Sequence, residues 1–224
     1  MTEAFNMDCM KAMREMKDNA FDLAIVDPVY GDVTKGGYMQ NRAHHKEVNC
    51  KMYHLALWEQ HKTSADYFRE LQRVSKNQVI WGGNYFTVEI GKDSQCWIVW
   101  DKDRDADNYA DFEIAWTSFN SASRFFRYRW NGMLQQDMKN KEERIHPTQK
   151  PVALYKWILN NYAHRGMKIL DTHLGSGSSR IAAYDLGFDF VGYEIDPVYF
   201  VQQEERFKKH TNQINMFTDL GLME

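Results

Sequence analysis

The sequence predicts a single α/β domain with a mostly parallel central sheet and an appended antiparallel hairpin. Three observations carry this. Short runs rich in β-branched and aromatic residues alternate with stretches of helical periodicity, the pattern of βαβ units. A glycine-rich turn at 171–177 joins a strand-like run to a helix-like one. No Gly/Ser/Pro-rich linker, internal repeat or low-complexity segment divides the 224 residues, a length that suits one large domain or two small ones.

Strand-like runs fall at Asp22–Val26, Gln78–Trp81, Cys96–Trp100, Phe112–Phe119, Arg124–Trp130, Ile169–Asp171 and Phe190–Ile195, each bounded by polar or turn residues. Between them, Ser64–Val74 opens on a Ser cap and places Tyr67, Phe68, Leu71 and Val74 at helical spacing. Thr148–Tyr162 puts Pro151 near its first turn, where the missing N–H costs nothing. Ser178–Leu186 and Val198–Lys209 complete the helices, the last ending on Lys208-Lys209, favourable at a helix C-terminus. The runs 112–119 and 124–130, joined by Asn120–Ser123, read as the antiparallel hairpin.

Composition excludes several classes. With 43% hydrophobic and 26% charged residues and four prolines, the chain has the make-up of a folded domain, not a disordered one. Neither half holds the ~18 uninterrupted apolar residues of a membrane span. The opening Met1–Asn6 has no basic stretch followed by an apolar run, so no secretory signal is expected and the expected location is cytoplasmic. Cys9, Cys50 and Cys96 are odd in number and lack CxxC spacing, which argues for free thiols over disulfides or a zinc site. His44, His45, His54 and His61 lack the i, i+4 pairing with Glu that zinc hydrolases use; no metal is expected.

Charge is unevenly spread. Against a net −3, residues 124–150 carry seven basic and three acidic residues, and residues 35–62 carry five and two. Such asymmetry can build a basic face on an acidic body, as phosphate binding requires; two solvated loops would give the same count.

Two turns carry candidate chemistry. Lys168–Ser179 reads K-I-L-D-T-H-L-G-S-G-S-S, a strand entering a turn whose glycines let backbone pass close to a ligand. About twenty residues on, Phe190–Asp196 is a second strand ending on Glu194, where a carboxylate can accept hydrogen bonds from both hydroxyls of a ribose. The third glycine of a dinucleotide fingerprint is absent, with Arg180 in its place, and no Gly-Lys-Ser/Thr follows. That suits a nucleoside without a phosphate chain, such as S-adenosylmethionine. The second turn, Asp27-Pro28-Val29-Tyr30, sits at the C-terminal end of a buried strand, the edge at which open α/β sheets bind ligands. The Asp27 carboxylate and the Pro28 carbonyl can accept both hydrogens of an exocyclic amine while Tyr30 stacks on the base. A simple turn would use the same letters, and Asp196-Pro197-Val198-Tyr199 repeats them as cap chemistry at a helix start.

The order of motifs is more specific than any one of them. Asp27-Pro28-Val29-Tyr30, then His146-Pro147-Thr148-Gln149-Lys150-Pro151, then Leu174-Gly175-Ser176-Gly177-Ser178, then Glu194, resembles the β group of DNA amino-methyltransferases, with its DPPY, HPTQKP and FxGxG motifs in that order. The resemblance spans nearly the whole chain. It implies a Rossmann-like methyltransferase fold with helices on both faces of the sheet, and S-adenosylmethionine bound by Asp171, Leu174, Gly175, Ser176, Gly177 and Glu194, with Lys150 and Pro151 lining the same pocket. It implies a catalytic Asp27, Pro28 and Tyr30 acting on a base flipped from double-stranded DNA. The Asp-initial motif favours N6 of adenine, with N4 of cytosine the alternative. The basic stretches supply Lys35, Arg42, Lys46, Lys51, Arg124, Arg127, Arg129, Lys139, Lys141 and Arg144 as expected DNA contacts, the three arginines 124, 127 and 129 alternating along one strand face. Residues 101–145 are the room for a small DNA-recognition insert, and a homodimer is an expectation from the resemblance alone.

Two departures stand out. Val29 replaces the second proline of DPPY, which frees a φ angle and restores an N–H; Thr172-His173-Leu174 replaces the segment holding the family's phenylalanine. A catalytically silent relative that binds cofactor and DNA is therefore a rival reading, and enzymes modifying RNA or protein glutamine are another. A nicotinamide oxidoreductase is disfavoured by the missing glycine.

Overall fold

The computed structural model describes residues 1–31, 62–104, 110–131 and 134–219, with side chains through residue 213. The chain opens with two elements lacking a strong sequence signal, β1 (Thr2–Asn6) and α1 (Cys9–Glu15). Then come β2 (Phe21–Val26), α2 (Ala65–Val74) and β3 (Ser75–Trp81). A 3₁₀ turn (Gly83–Tyr85) and the short α3 (Thr87–Ile90) lead to β4 (Trp97–Asp101), β5 (Phe112–Thr117) and β6 (Arg124–Arg127). β7 (Trp130–Asn131), β8 (Leu134–Gln135), α4 (Val152–Tyr162), β9 (Lys168–Asp171), α5 (Ser178–Asp185), β10 (Asp189–Glu194) and α6 (Pro197–Asp219) follow.

Among the described residues eight strands form one sheet in the order β1-β10-β9-β2-β3-β5-β4-β6. The first five run parallel, and β5 is antiparallel to both its neighbours. At the centre of the sheet β2 is buried on both faces, so it reads as a continuous apolar run instead of an alternating one. Its Leu23 and Ile25 join a core with α4 and α5 (Leu154, Ile158, Ala182), whereas Ala24 and Val26 pack with α1 and α2 (Met13, Phe68, Leu71). Helices on both faces of a mostly parallel sheet make the expected Rossmann-like methyltransferase architecture.

The hairpin is not where the sequence places it. Runs 112–119 and 124–130 do not pair with each other. β4 lies between them, antiparallel to β5 and parallel to β6. Burial explains the choice: Ile98 and Trp100 of β4 are inaccessible to solvent, and flanking strands on both edges cover them. A small antiparallel hairpin does exist, between β7 and β8. The proposed insert contributes β5 and β6 to the main layer.

Helix starts differ in an instructive way. α4 begins only after Pro151, which is its N-cap, so His146–Lys150 remain loop. α6 starts as expected: Asp196 Oδ1 accepts from the N–H groups of Val198 (2.8 Å) and Tyr199 (3.2 Å), confirming the second Asp-Pro-Val-Tyr as cap chemistry. Arg180 explains the missing third glycine. Its buried guanidinium pairs with Glu204, bonds Gln203 (3.2 Å) and lies 4.0 Å from the Phe207 ring centre. It ties α5 to α6 instead of facing a phosphate. Cys9 and Cys96 are free thiols; Cys50 lies outside the described residues, as do His44, His45, His54 and His61. Among the described residues no helix is long and apolar enough to cross a membrane, and no group of His, Cys, Asp and Glu is arranged to hold a metal.

Candidate active site

β2 and β9 are neighbours in parallel register, Leu23 beside Ile169 and Ala24 beside Leu170. Asp27 and Asp171 therefore emerge together at the carboxyl edge. β9 leads to α5 on one face and β2 precedes α2 on the other, so strand order reverses here and a crevice opens, the usual ligand position in such sheets.

On the β9 side, the turn is held from within. Asp171 accepts from the His173 N–H (2.9 Å) and from Ser179 Oγ (2.5 Å). Burial raises its pKa to about 7, against the lowering effect of those bonds. Gly175 (φ +51°) and Gly177 (φ +73°) occupy left-handed backbone that L side chains adopt only at a cost. Glu194, at the end of β10, accepts from the N–H groups of Gly175 (2.8 Å) and Asp196 (2.9 Å). Each carboxylate oxygen thus keeps lone-pair capacity at a fixed orientation, as a ribose diol requires. Leu174 is buried against Gly192, where an added Cβ would approach it at 3.0 Å. Ile195, which follows Glu194, is exposed, as is Met7, and Asn6 Nδ2 donates to the Glu194 carbonyl (2.8 Å).

Arg206 stabilises this loop from α6. It donates to the Ser176 carbonyl (2.7 Å) and Ser178 Oγ (2.9 Å), and pairs with Glu142 (2.6 Å). Glu142 in turn accepts from the Val152 N–H (3.0 Å), linking the Gly turn to the start of α4.

On the β2 side, the Tyr30 hydroxyl donates to Asp27 Oδ1, and Lys150 Nζ lies 2.5 Å from Asp27 Oδ2. Lys150, expected only to line the cofactor pocket, is thus an ion-pair partner of the Asp27 carboxylate. It also lies 3.2 Å from Glu113 on β5 and 5.3 Å from the Trp81 ring centre. Burial opposes its charge, yet Asp27 and Glu113 hold its pKa above the usual lysine value. The Val29 carbonyl accepts from both the N–H and the hydroxyl of Thr63, each at 3.1 Å, so this turn is anchored despite lacking its second proline. Tyr30 packs against Tyr85 and Phe86, with ring centres 5.1 and 5.8 Å away.

Glu113, Thr63 and Tyr85 were not found from sequence. The Gly82-Gly83 pair after an apolar strand was a legible signal, since a glycine there often marks close approach. A Cβ at Gly82 would stand 2.2 Å from the Tyr30 ring.

The expected DNA contacts divide. Lys35, Arg42, Lys46 and Lys51 lie outside the described residues. Arg124, Lys139 and Lys141 are exposed. Arg127 pairs with Asp101 (2.7 Å) and Arg129 with Asp103 (2.7 Å), while Arg144 donates to the Pro147 carbonyl (2.9 Å). The single arginine face does not form. β6 ends at Arg127, and three-residue spacing in a strand puts Arg124 and Arg127 on opposite sides.

Two tests follow from this geometry. Gly82→Ala and Gly166→Ala both place a Cβ at positive φ, but nothing lies within 4 Å of the second. Only Gly82→Ala should alter the near-UV dichroism of the tyrosines, with a further loss of roughly 1–3 kcal/mol in urea unfolding from overpacking. The second uses His173, whose pKa burial lowers from 6.5 to about 4. Between those values the unfolded chain binds a proton that the folded one refuses, so stability falls as pH drops from about 6.5 to about 4. His173→Phe should remove that loss: its melting temperature relative to the parent should rise steadily across this window and stay level above pH 7.

Comparison with known proteins agrees with the motif order. The DNA methylase family profile matches residues 99–205. The Type II methyltransferase M2.DpnII of Streptococcus pneumoniae is 24% identical over 236 residues, covering 90% of this chain and 87% of that protein. M.HpaI of Haemophilus parainfluenzae is 33% identical over 73 residues, which is 33% of this chain and 23% of its own length. Among solved structures, the M1.HpyAVI–SAM complex has a TM-score of 0.57 at 20% identity, covering 92% of this chain and 100% of that one. The cytosine-N4-specific PvuII DNA methyltransferase has a TM-score of 0.59 at 11% identity, covering 95% and 93%; at such identities these two speak for the fold. Motif order, family profile, near full-length relative and fold thus agree: the chain is similar to the DNA amino-methyltransferases.

Proposed function

We propose that the chain transfers a methyl group from S-adenosylmethionine to the exocyclic amine of a base flipped from double-stranded DNA, N6 of adenine being the favoured target. The observation that supports this most is the juxtaposition at the carboxyl edge: an amine-accepting turn on β2 beside a nucleoside-type turn on β9, with the strands paired directly. The glycine cradle and the anchored Glu194 carboxylate fit S-adenosylmethionine, which supplies an electrophilic methyl on a sulfonium. Glu194 would hold its ribose; Leu174, Gly175, Ser176 and Gly177 would pass under its methionine part, with Asp171 keeping the turn in shape. Pro151 would close the same pocket.

An aromatic amine is a poor nucleophile because its lone pair is delocalised into the ring. Accepting its two hydrogens at Asp27 and at the Pro28 carbonyl would localise that pair as the nitrogen becomes tetrahedral. Tyr30, braced by Tyr85 and Phe86, would stack on the extruded base, and alignment with the methyl supplies much of the rate. The Asp-initial motif supports adenine over cytosine. The anchoring of Val29 by Thr63 supports an active turn over a silent one. Arg124, Lys139 and Lys141, exposed on the 101–145 stretch, would contact phosphate, together with Lys35, Arg42, Lys46 and Lys51.

The test is transfer itself. Incubation with unmethylated duplex DNA and methyl-labelled S-adenosylmethionine, followed by digestion to nucleosides and mass spectrometry, should yield labelled N6-methyladenine that disappears in Asp27→Ala. Label on N4 of cytosine would overturn the choice of base, and cofactor binding without any label would overturn the activity.

A further inference from the structure

Four charged side chains form a chain from the catalytic turn to the start of the β4–β5 connection: Asp27, Lys150, Glu113 and Lys102. The links are Asp27–Lys150 at 2.5 Å, Lys150–Glu113 at 3.2 Å and Glu113–Lys102 at 2.5 Å. Lys150 and Lys102 each lie 5.3 Å from a tryptophan ring centre, Trp81 and Trp100, and these two rings pack edge to face. The Lys150 side chain is 4% exposed and that of Asp27 16%. Burial would raise the Glu113 pKa, but the charges of Lys150 and Lys102 outweigh it and hold it at about 2. Glu113 is therefore a charged acceptor at neutral pH.

This arrangement conflicts with the chemistry unless something moves. The Lys150 ammonium donates to Asp27 Oδ2, and the Tyr30 hydroxyl takes Oδ1, so the target amine would compete with Lys150 for the same carboxylate. During transfer the sulfonium charge passes to that amine as the C–N bond forms and the S–C bond breaks. A second cation against Asp27 would oppose that charge and draw on the carboxylate that should polarise the amine. Glu113 already sits at the far side of Lys150, one short displacement away.

We infer that Glu113 is a positioning residue that takes the Lys150 ammonium from Asp27 when the target base enters. Lys150 donates to Asp27 where the amine would donate, and Glu113 is its second seat. Lys150 keeps its protons throughout, and the amine proton leaves toward Asp27 or water. Lys102 competes for Glu113 and so sets how strongly the second seat pulls. The inference rests on the methyl-transfer reading above.

The charge chain predicts that two neutralising substitutions diverge, a loss in one and none in the other, which a purely structural role would not. Glu113→Gln removes the second seat, so kcat should fall about tenfold or more while the cofactor KM and the calorimetric cofactor affinity stay within about twofold. Lys102→Met frees Glu113 to pull harder, so kcat should hold or rise. Adding Lys150→Met to Glu113→Gln should recover part of the loss, because no ammonium then remains to be moved. Melting curves and cofactor titration establish that each variant is folded; if Glu113→Gln is not, Glu113→Asp, which keeps the charge at longer reach, should show a smaller loss of the same kind. Equal kcat in parent and Glu113→Gln, or a matching loss in Lys102→Met, would overturn the handover while leaving the transfer reading intact. Absence of transfer by the parent chain would remove both.

Discussion

The parallel pairing of β2 with β9 is the constraint on which the site depends. Because side chains and strand ends move together with register, Leu23 opposite Ile169 fixes how far Asp27 projects relative to Asp171. Both turns then leave the sheet on the same edge, with helices diverging to opposite faces. Everything polar in the crevice is secondary to that: Ser179 and the His173 N–H fix Asp171, Gly175 and Asp196 fix Glu194, and Thr63 fixes Val29. A carboxylate held by backbone N–H groups has its orientation determined before any ligand arrives, which is the preorganisation that positioning catalysis requires.

The two sides of the crevice differ in their electrostatics. The β9 side is built from carboxylates satisfied by neutral donors, and Asp171 and Glu194 both have pKa values raised by burial. The β2 side is a charge chain in which each carboxylate faces an ammonium. Burying ions is costly unless they are paired, and the pairing of Lys150 with both Asp27 and Glu113 meets that requirement. It also gives Lys150 two acceptors, the property from which its displacement by a substrate amine follows.

Legibility in the sequence tracked how local each determinant is. The Gly turn, Glu194 and Asp27–Tyr30 are contiguous motifs at strand ends, and strand-to-turn position could be read from hydrophobic runs. Asp196 as a helix cap was legible for the same reason. The β5-β4-β6 order was not, because the preference of buried Ile98 and Trp100 for a central place is a property of the assembled core. β1 and α1 were missed because Thr2–Asn6 is half exposed and too short for a clear period. Glu113 was invisible: a lone glutamate in a strand carries no signal until β5 brings it beside Lys150. Arg180 shows the reverse case, a departure from a ligand-binding pattern that proves to be packing against α6.

One crevice between the β2 and β9 turns would hold the nucleoside cofactor with its reactive group facing Asp27. A crystal structure of the chain with S-adenosylhomocysteine tests this most directly. Both ribose hydroxyls should lie on the Glu194 carboxylate, the homocysteine part over Gly175–Gly177, and the sulfur open toward Asp27 and the Pro28 carbonyl. A ribose bound away from Glu194, or a sulfur separated from Asp27 by protein, would contradict it.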